Sequence, residues 1–290
     1  MILSCLMAAA LAFSQEDAKA ALDMTGEFVK AHPVRDAGTY RARDASRWLL
    51  GKASVVGGNV YQDSFQAMTP DGMRTFTNLY CPFERDSGAP WTVFVSHYDT
   101  KPGANCPGAN DGASTSCLLV QLVKVMFDNR GFNRNVMFIW TDGEECKGER
   151  YTDVDGFQGS KRAAEMLKRK KIAVDGVYVL DMLGDKDLKI SIPPNVSFDL
   201  AKKVVAAAKG IGLKRSQFAS LDSVVYDDHV AFKDAGFKAI DLIDFEYGSK
   251  PGLNDYWHTP QDTPDKLSAD SLLTVGRLAC SILSAEAERQ

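Results

Sequence analysis

Two histidines and several carboxylates stand where apolar runs give way to polar residues. His97 and Asp99 lie in "SHYDT", after the apolar run Trp91–Val95. Glu144 and Glu145 are adjacent in "TDGEE", after Val136–Trp140. Asp181 closes Val177–Leu180, Asp111 sits in "PGANDGAS", and His258 follows Trp257 in a late loop. Adjacent carboxylates at the mouth of a core strand repel each other, and burying them is costly without a positive partner. A cation resolves that conflict. Imidazole and carboxylate donors without sulfur suit zinc, with manganese or cobalt as substitutes. Successive residues leave a strand in different directions, so one of Glu144 and Glu145 can ligate while the other serves as general base. The ion would acidify bound water and polarise a carbonyl. His97-x-Asp99 has the form of an imidazole oriented by a carboxylate behind it. Pro107, Gly108 and Gly112 let the backbone around Asp111 turn sharply and approach closely.

Each piece alone has an ordinary explanation. A lone H-x-D arises by chance, "DGEE" can be a solvated loop, and Asp181 can cap a helix. The conjunction carries the reading, because the chain has four histidines and two of them have ligand-like surroundings. His32, beside Pro33, reads as structural or exposed. His229, in "YDDHVAF", reads as part of a helix behind the site rather than as a ligand. Of the adjacent Asp227 and Asp228, one is expected to cap that helix and the other to point into the pocket.

These residues need a scaffold that brings strand ends together. Helical periodicity covers Ala18–Lys30, Tyr40–Ala53, Gly112–Phe127, Ser160–Lys170, Phe198–Lys209 and Ser268–Glu286. Val60–Phe65 and Thr75–Leu79 read as an antiparallel pair around the turn Thr69-Pro70-Asp71-Gly72. Trp91–Val95, Val136–Trp140, Val177–Leu180 and Ala239–Ile243 read as buried strands between helices. The pattern predicts an α/β fold: a mixed, mostly parallel central β-sheet flanked by helices on both faces. In such sheets the ligand crevice lies at the carboxyl ends of the strands, where the polar residues stand.

At 290 residues, 45% hydrophobic and 25% charged, the composition is that of an ordinary globular chain. Net charge is −4, and the one basic run, Lys168–Lys171, reads as a solvated helix end, so nucleic acid is not an expected partner. Ile2–Phe13 is apolar but too short to span a bilayer, and Ala12-Phe13-Ser14 has the form of a cleavage site. Residues 1–14 are therefore expected to be a signal peptide and 18–290 a single catalytic domain, exported to the periplasm or secreted. No stable membrane insertion is expected, and the protein is read as a monomer. Six cysteines occur, none with metal spacing. A Cys106–Cys146 disulfide is conceivable, but free thiols are the expectation.

"SHYDT", "PGANDGAS", "TDGEE", "LDMLG", "DDHVAF" and "YWHTPQDTPDKLS" occur in an order and at distances that resemble the M28 zinc aminopeptidase superfamily. In layout, from about Tyr40 onward, the chain is most similar to the animal-type glutaminyl cyclase branch. The resemblance implies a mixed, mostly parallel sheet. It implies that Asp111, Glu145 and His258 bind zinc, that Glu144 is the general acid/base and that Trp257 walls the substrate pocket. In two-metal aminopeptidases the residues matching His97 and Asp181 hold a second ion, with Asp111 bridging. In the cyclases Asp181 would instead hydrogen-bond to a partner carboxylate, here expected to be Asp228. One departure stands out: the cyclases carry a tryptophan shortly after the acidic pair, where this chain has "CKGERYTD" with Tyr151 as its only aromatic.

The expected substrate is a peptide or protein N-terminus, with one or two zinc ions as cofactor. A cyclase lets the α-amine of an N-terminal glutamine attack its own side-chain amide, releasing ammonia. Glu144 moves the proton, assisted by Asp181 and Asp228. An aminopeptidase activates water instead, for which two metals are well suited. The cyclase is favoured. The third alternative, an inactive metal-stabilised binding protein, leaves Glu144 unexplained.

Overall fold

The computed structural model describes residues 11–219 and 221–287. Eight strands form one sheet in the order β1-β2-β4-β3-β5-β8-β6-β7. At its centre β4 (Asn135–Thr141), β3 (Trp91–His97), β5 (Val174–Asp181) and β8 (Ala239–Ile243) run parallel. These strands are continuous apolar runs because both faces are covered. Alternation sends Phe94, Phe138 and Tyr178 to one face, where their rings stack in a row. It sends Val93, Val95, Met137 and Ile139 to the other.

The first face packs against α1 (Gln15–Ala31), α2 (Tyr40–Val55), α3 (Thr115–Asp128), α5 (Phe198–Gly210) and α7 (Ala269–Ala287). The second is covered by α4 (Gln158–Arg169) and α6 (Asp228–Asp234). The predicted hairpin is β1 (Tyr61–Thr69) and β2 (Gly72–Phe83), antiparallel, with Gly72 at φ +91 closing the turn. β2 then runs antiparallel to β4, which makes the sheet mixed. Two edge strands, β6 (Ile190–Ser191) and β7 (Phe218–Ala219), are too short to leave a periodic signal in the sequence.

Three boundaries differ from expectation in ways that matter for the site. β3 runs on through His97 and β5 through Asp181, so both side chains belong to strands rather than to the loops behind them. The helix expected from Gly112 starts at Thr115. Ala109–Ser114 is instead a wound turn whose backbone is non-helical at Asp111 and Gly112. Residues 1–10 of the expected signal peptide lie outside the described residues, but Leu11 and Phe13 are buried in the main core. Ser14 caps α1 in a reciprocal capping box with Asp17.

Among the described residues no helix is long and apolar enough to cross a membrane. The five described cysteines are free and buried, so Cys106 and Cys146 are not bridged.

Candidate active site

The strand ends converge as the sequence pattern predicts. β3 presents His97 beside Asp181 of its neighbour β5, and β4 leads directly into Glu144 and Glu145. The Ala109–Ser114 turn brings in Asp111, and the long loop after β8 brings in His258. All except the half-buried His258 are buried. Close approach of the Asp111 turn requires glycine at 112, because a Cβ there would lie 2.4 Å from the His97 carbonyl oxygen.

Asp111 is the centre of the cluster. Its Oδ1 lies 3.0 Å from His97 Nε2, and its Oδ2 lies 3.3 Å from His258 Nε2. Asp181 Oδ1 is 3.1 Å from the same His97 nitrogen, and Glu145 Oε1 is 2.8 Å from His258 Nε2. Two triads result, His97/Asp111/Asp181 and Asp111/Glu145/His258, with Asp111 in both. Asp111 Oδ2 and Glu145 Oε2 are buried and make no hydrogen bond. Unsatisfied carboxylate oxygens converging beside two imidazole nitrogens fit a divalent cation.

Glu144 stands outside both triads. Burial, reinforced by the charge of Glu145, pushes its carboxyl well above the usual range. Burial and Asp111 lift Glu145 itself to about 7. Burial pulls His258 down, but its bonds to Asp111 and Glu145 outweigh that and raise it to about 9. Asp99 is fully buried behind the pair. Its carboxylate accepts the N–H groups of Glu144 at 3.3 Å and Glu145 at 3.1 Å, and lies 3.6 Å from His97 Nδ1. One side chain therefore fixes the backbone of both glutamates and faces the His97 imidazole.

The Asp111 turn is clamped from two sides by residues that sequence reasoning missed. Arg35 is fully buried and donates to the carbonyls of His32, Tyr98, Pro107 and Gly108. Asp262 accepts the N–H groups of Asn110 at 2.7 Å and Asp111 at 3.2 Å, and Tyr247 donates its hydroxyl to the same carboxylate. Asp262 follows His258 closely enough to have been a candidate. Arg35 left no sequence signal, because its partners are backbone carbonyls. Lys101 was also missed, with Nζ 3.7 Å from Glu145 Oε2.

The adjacent aspartates have different partners. Asp228, expected to hydrogen-bond with Asp181, accepts from Thr141 Oγ1 at 2.6 Å. Asp227 is the N-cap of α6, and after burial the charge of Asp181 is the strongest influence raising its carboxyl. Asp241, buried mid-strand in β8, joins Asp227 and His229 in a third group that the sequence did not suggest. His229 has Nε2 3.0 Å from Asn195 Nδ2, which occupies that ring edge.

Trp257 stacks on His258, with centroids 3.9 Å apart, and packs on Phe245. These three line a cleft of ≈ 1070 Å³ with Lys101, Tyr151 and Tyr226.

Comparison with known proteins agrees with this fold. Over 94% of its length the chain superposes on 96% of a glutaminyl cyclase from an Acidobacteriales bacterium, with TM-score 0.84 and 28% identity. A Zn-dependent exopeptidase from Parabacteroides distasonis shares the fold at TM-score 0.82 and 20% identity, covering 95% of this chain and 99% of that one. In sequence, a glutaminyl-peptide cyclotransferase from Dictyostelium discoideum is 23% identical over 84% of this chain and 79% of its own. The model of peptidase family M28 matches residues 78–283, a span that carries every strand-end residue of the site. The chain therefore belongs to peptidase family M28.

Proposed function

We propose that the protein is a zinc-dependent glutaminyl-peptide cyclotransferase, converting an N-terminal glutamine to pyroglutamate with release of ammonia. The observation that carries this reading is the position of Glu144. It is a buried carboxyl beside the candidate ligand Glu145, outside both triads, with its backbone fixed by Asp99. The similarity to cyclases supports the substrate. Asp111, Glu145 and His258 would hold the zinc. The ion would supply Lewis acidity, drawing electron density from a carbonyl oxygen.

The substrate brings its own nucleophile. Its α-amine nitrogen bonds to the side-chain amide carbon, and the bond from that carbon to the amide nitrogen breaks. Glu144 takes a proton from the attacking amine and returns it to the leaving ammonia. Such a shuttle suits a carboxyl whose proton affinity is raised by burial. No external water enters, so orientation of one substrate in a walled cleft provides much of the rate. Trp257 supplies the wall, and Asp227 with Asp181 would receive the amine or the departing nitrogen.

A second reading rests on Asp111. Because it contributes to both triads, His97 and Asp181 complete a second cation position, and the family includes exopeptidases. That arrangement suits an aminopeptidase acting through activated water. Incubation with peptides beginning Gln, Leu or Ala, followed by mass spectrometry, separates the two. Ammonia lost from an intact Gln peptide supports the cyclase. Free N-terminal amino acids support the aminopeptidase and overturn the cyclase.

A further inference from the structure

In the loop between β4 and α4 the cyclase resemblance leads one to expect a tryptophan packed on the substrate, and Tyr151 is the aromatic available. The tyrosine is placed differently. Its ring stacks on Phe157, with centroids 4.1 Å apart and planes 19° apart. Gly156 makes the space, since a Cβ there would lie 2.3 Å from Tyr151 Cδ1. The hydroxyl donates to Glu144 Oε1 at 2.9 Å.

The loop that carries Tyr151 is braced against the acidic pair. Phe157 N–H donates to the Glu144 carbonyl at 3.1 Å and Gln158 N–H to the Gly143 carbonyl at 2.8 Å. The Asp155 carboxylate accepts the N–H groups of Lys147 at 2.7 Å and Gly148 at 2.9 Å. Tyr151 is therefore held by its ring, in a loop braced on both sides, with its hydroxyl on Glu144. The terminal torsion of a free glutamate is broad and roughly two-fold, so an unrestrained carboxyl would present either oxygen in many planes.

We propose that Tyr151 is a positioning residue for the acid/base. Holding Oε1 of Glu144 fixes the carboxyl plane and leaves Oε2 as the oxygen that exchanges the proton. The proposal rests on the role given to Glu144 in the proposed function. The aromatic of this loop, which lines the cleft, then serves the acid/base where the resemblance had led to a tryptophan.

The test is Tyr151→Phe, which keeps the ring stack and removes only the hydroxyl. In zinc-loaded protein turning over a Gln-initiated peptide, kcat is expected to fall about tenfold, with KM within about twofold. Thermal unfolding and zinc content should stay at wild-type values. Glu144→Gln and the Glu144→Gln/Tyr151→Phe double variant complete the cycle. If Tyr151 acts through Glu144, the double variant is no slower than Glu144→Gln alone. Wild-type kcat in Tyr151→Phe overturns the proposal. So does a change confined to KM, which marks a substrate contact, or full additivity in the double variant. A wild-type protein that turns over none of the peptides overturns the functional reading and this proposal with it. An active wild type with an unaffected Tyr151→Phe overturns this proposal alone.

Discussion

The guanidinium of Arg35 donates to the carbonyl of Gly108 at 2.9 Å, inside the protein, three residues before the central carboxylate of the site. With its bonds to His32, Tyr98 and Pro107, it ties the first helix, the end of β3 and the Asp111 turn to one side chain. In Arg35→Met the carbonyls of His32, Tyr98 and Pro107 lose their side-chain donor, at about 1–3 kcal/mol per buried group, while Gly108 keeps the Ala113 N–H. The expected result is a loss of roughly 3 kcal/mol or more in denaturant unfolding, with weaker zinc retention. Wild-type stability and metal content would show that the turn holds its shape without the clamp.

Glu144→Gln should reduce turnover by about 10²–10⁴-fold, the range for a lost general acid/base, while the protein keeps its zinc. Loss of zinc in that variant would instead assign Glu144 to the ligand set. Metal analysis alongside the rate assay distinguishes these outcomes.

The two adjacent aspartates should separate cleanly. Asp227→Asn is expected to lower kcat at least tenfold with little change in folding. Asp228→Asn disturbs the Thr141 bond and should cost about 1 kcal/mol of stability, with activity retained. The opposite pattern would restore Asp228 as the carboxylate facing the site.

His229 sets an acid limb on stability. Burial, with Lys233 nearby, depresses its imidazole to about 3. The folded state therefore stays neutral at this residue while the unfolded chain takes up a proton near 6.5. Its contribution is full above that value and is lost as pH falls from 6.5 toward 3. Between pH 7 and pH 5 the loss is about 2 kcal/mol. His229→Gln should flatten this part of the stability profile, and urea unfolding at the two pH values measures it.

Phe13 is 2% exposed and fills the space beside Gly276, where a Cβ would lie 2.4 Å from its ring. Phe13→Ala should cost about 3–5 kcal/mol, and Ser14→Ala about 1 kcal/mol through the lost cap. A chain begun at Gln15 should accordingly unfold well below one begun at Leu11. Equal melting temperatures for the two would remove Phe13 from the working core.

The parts of the site that could be read in the sequence obey the strand-end rule. His97, Glu145 and Asp181 follow apolar runs long enough to be read as strands, and Asp111 and His258 stand out through their neighbours. The choice between Asp227 and Asp228 was not legible. Both stand at the start of one short helix, and their partners are set by tertiary packing rather than by sequence. Arg35 and Tyr151 were hidden for another reason. Their partners are a set of carbonyls and a single carboxyl oxygen brought close by tertiary packing, and no periodicity encodes such contacts. The extent of the hairpin and the two-residue edge strands were blurred because strand ends are set by their pairing partners.

Asp111 lends one oxygen to each triad, and this sharing couples the two positions. Whatever filled one half would draw on the charge available to the other, so a second cation would bind less tightly than it would alone. One-ion and two-ion forms would then differ by the grip of half a carboxylate, with the same side chains present in both, and metal supply would decide between them.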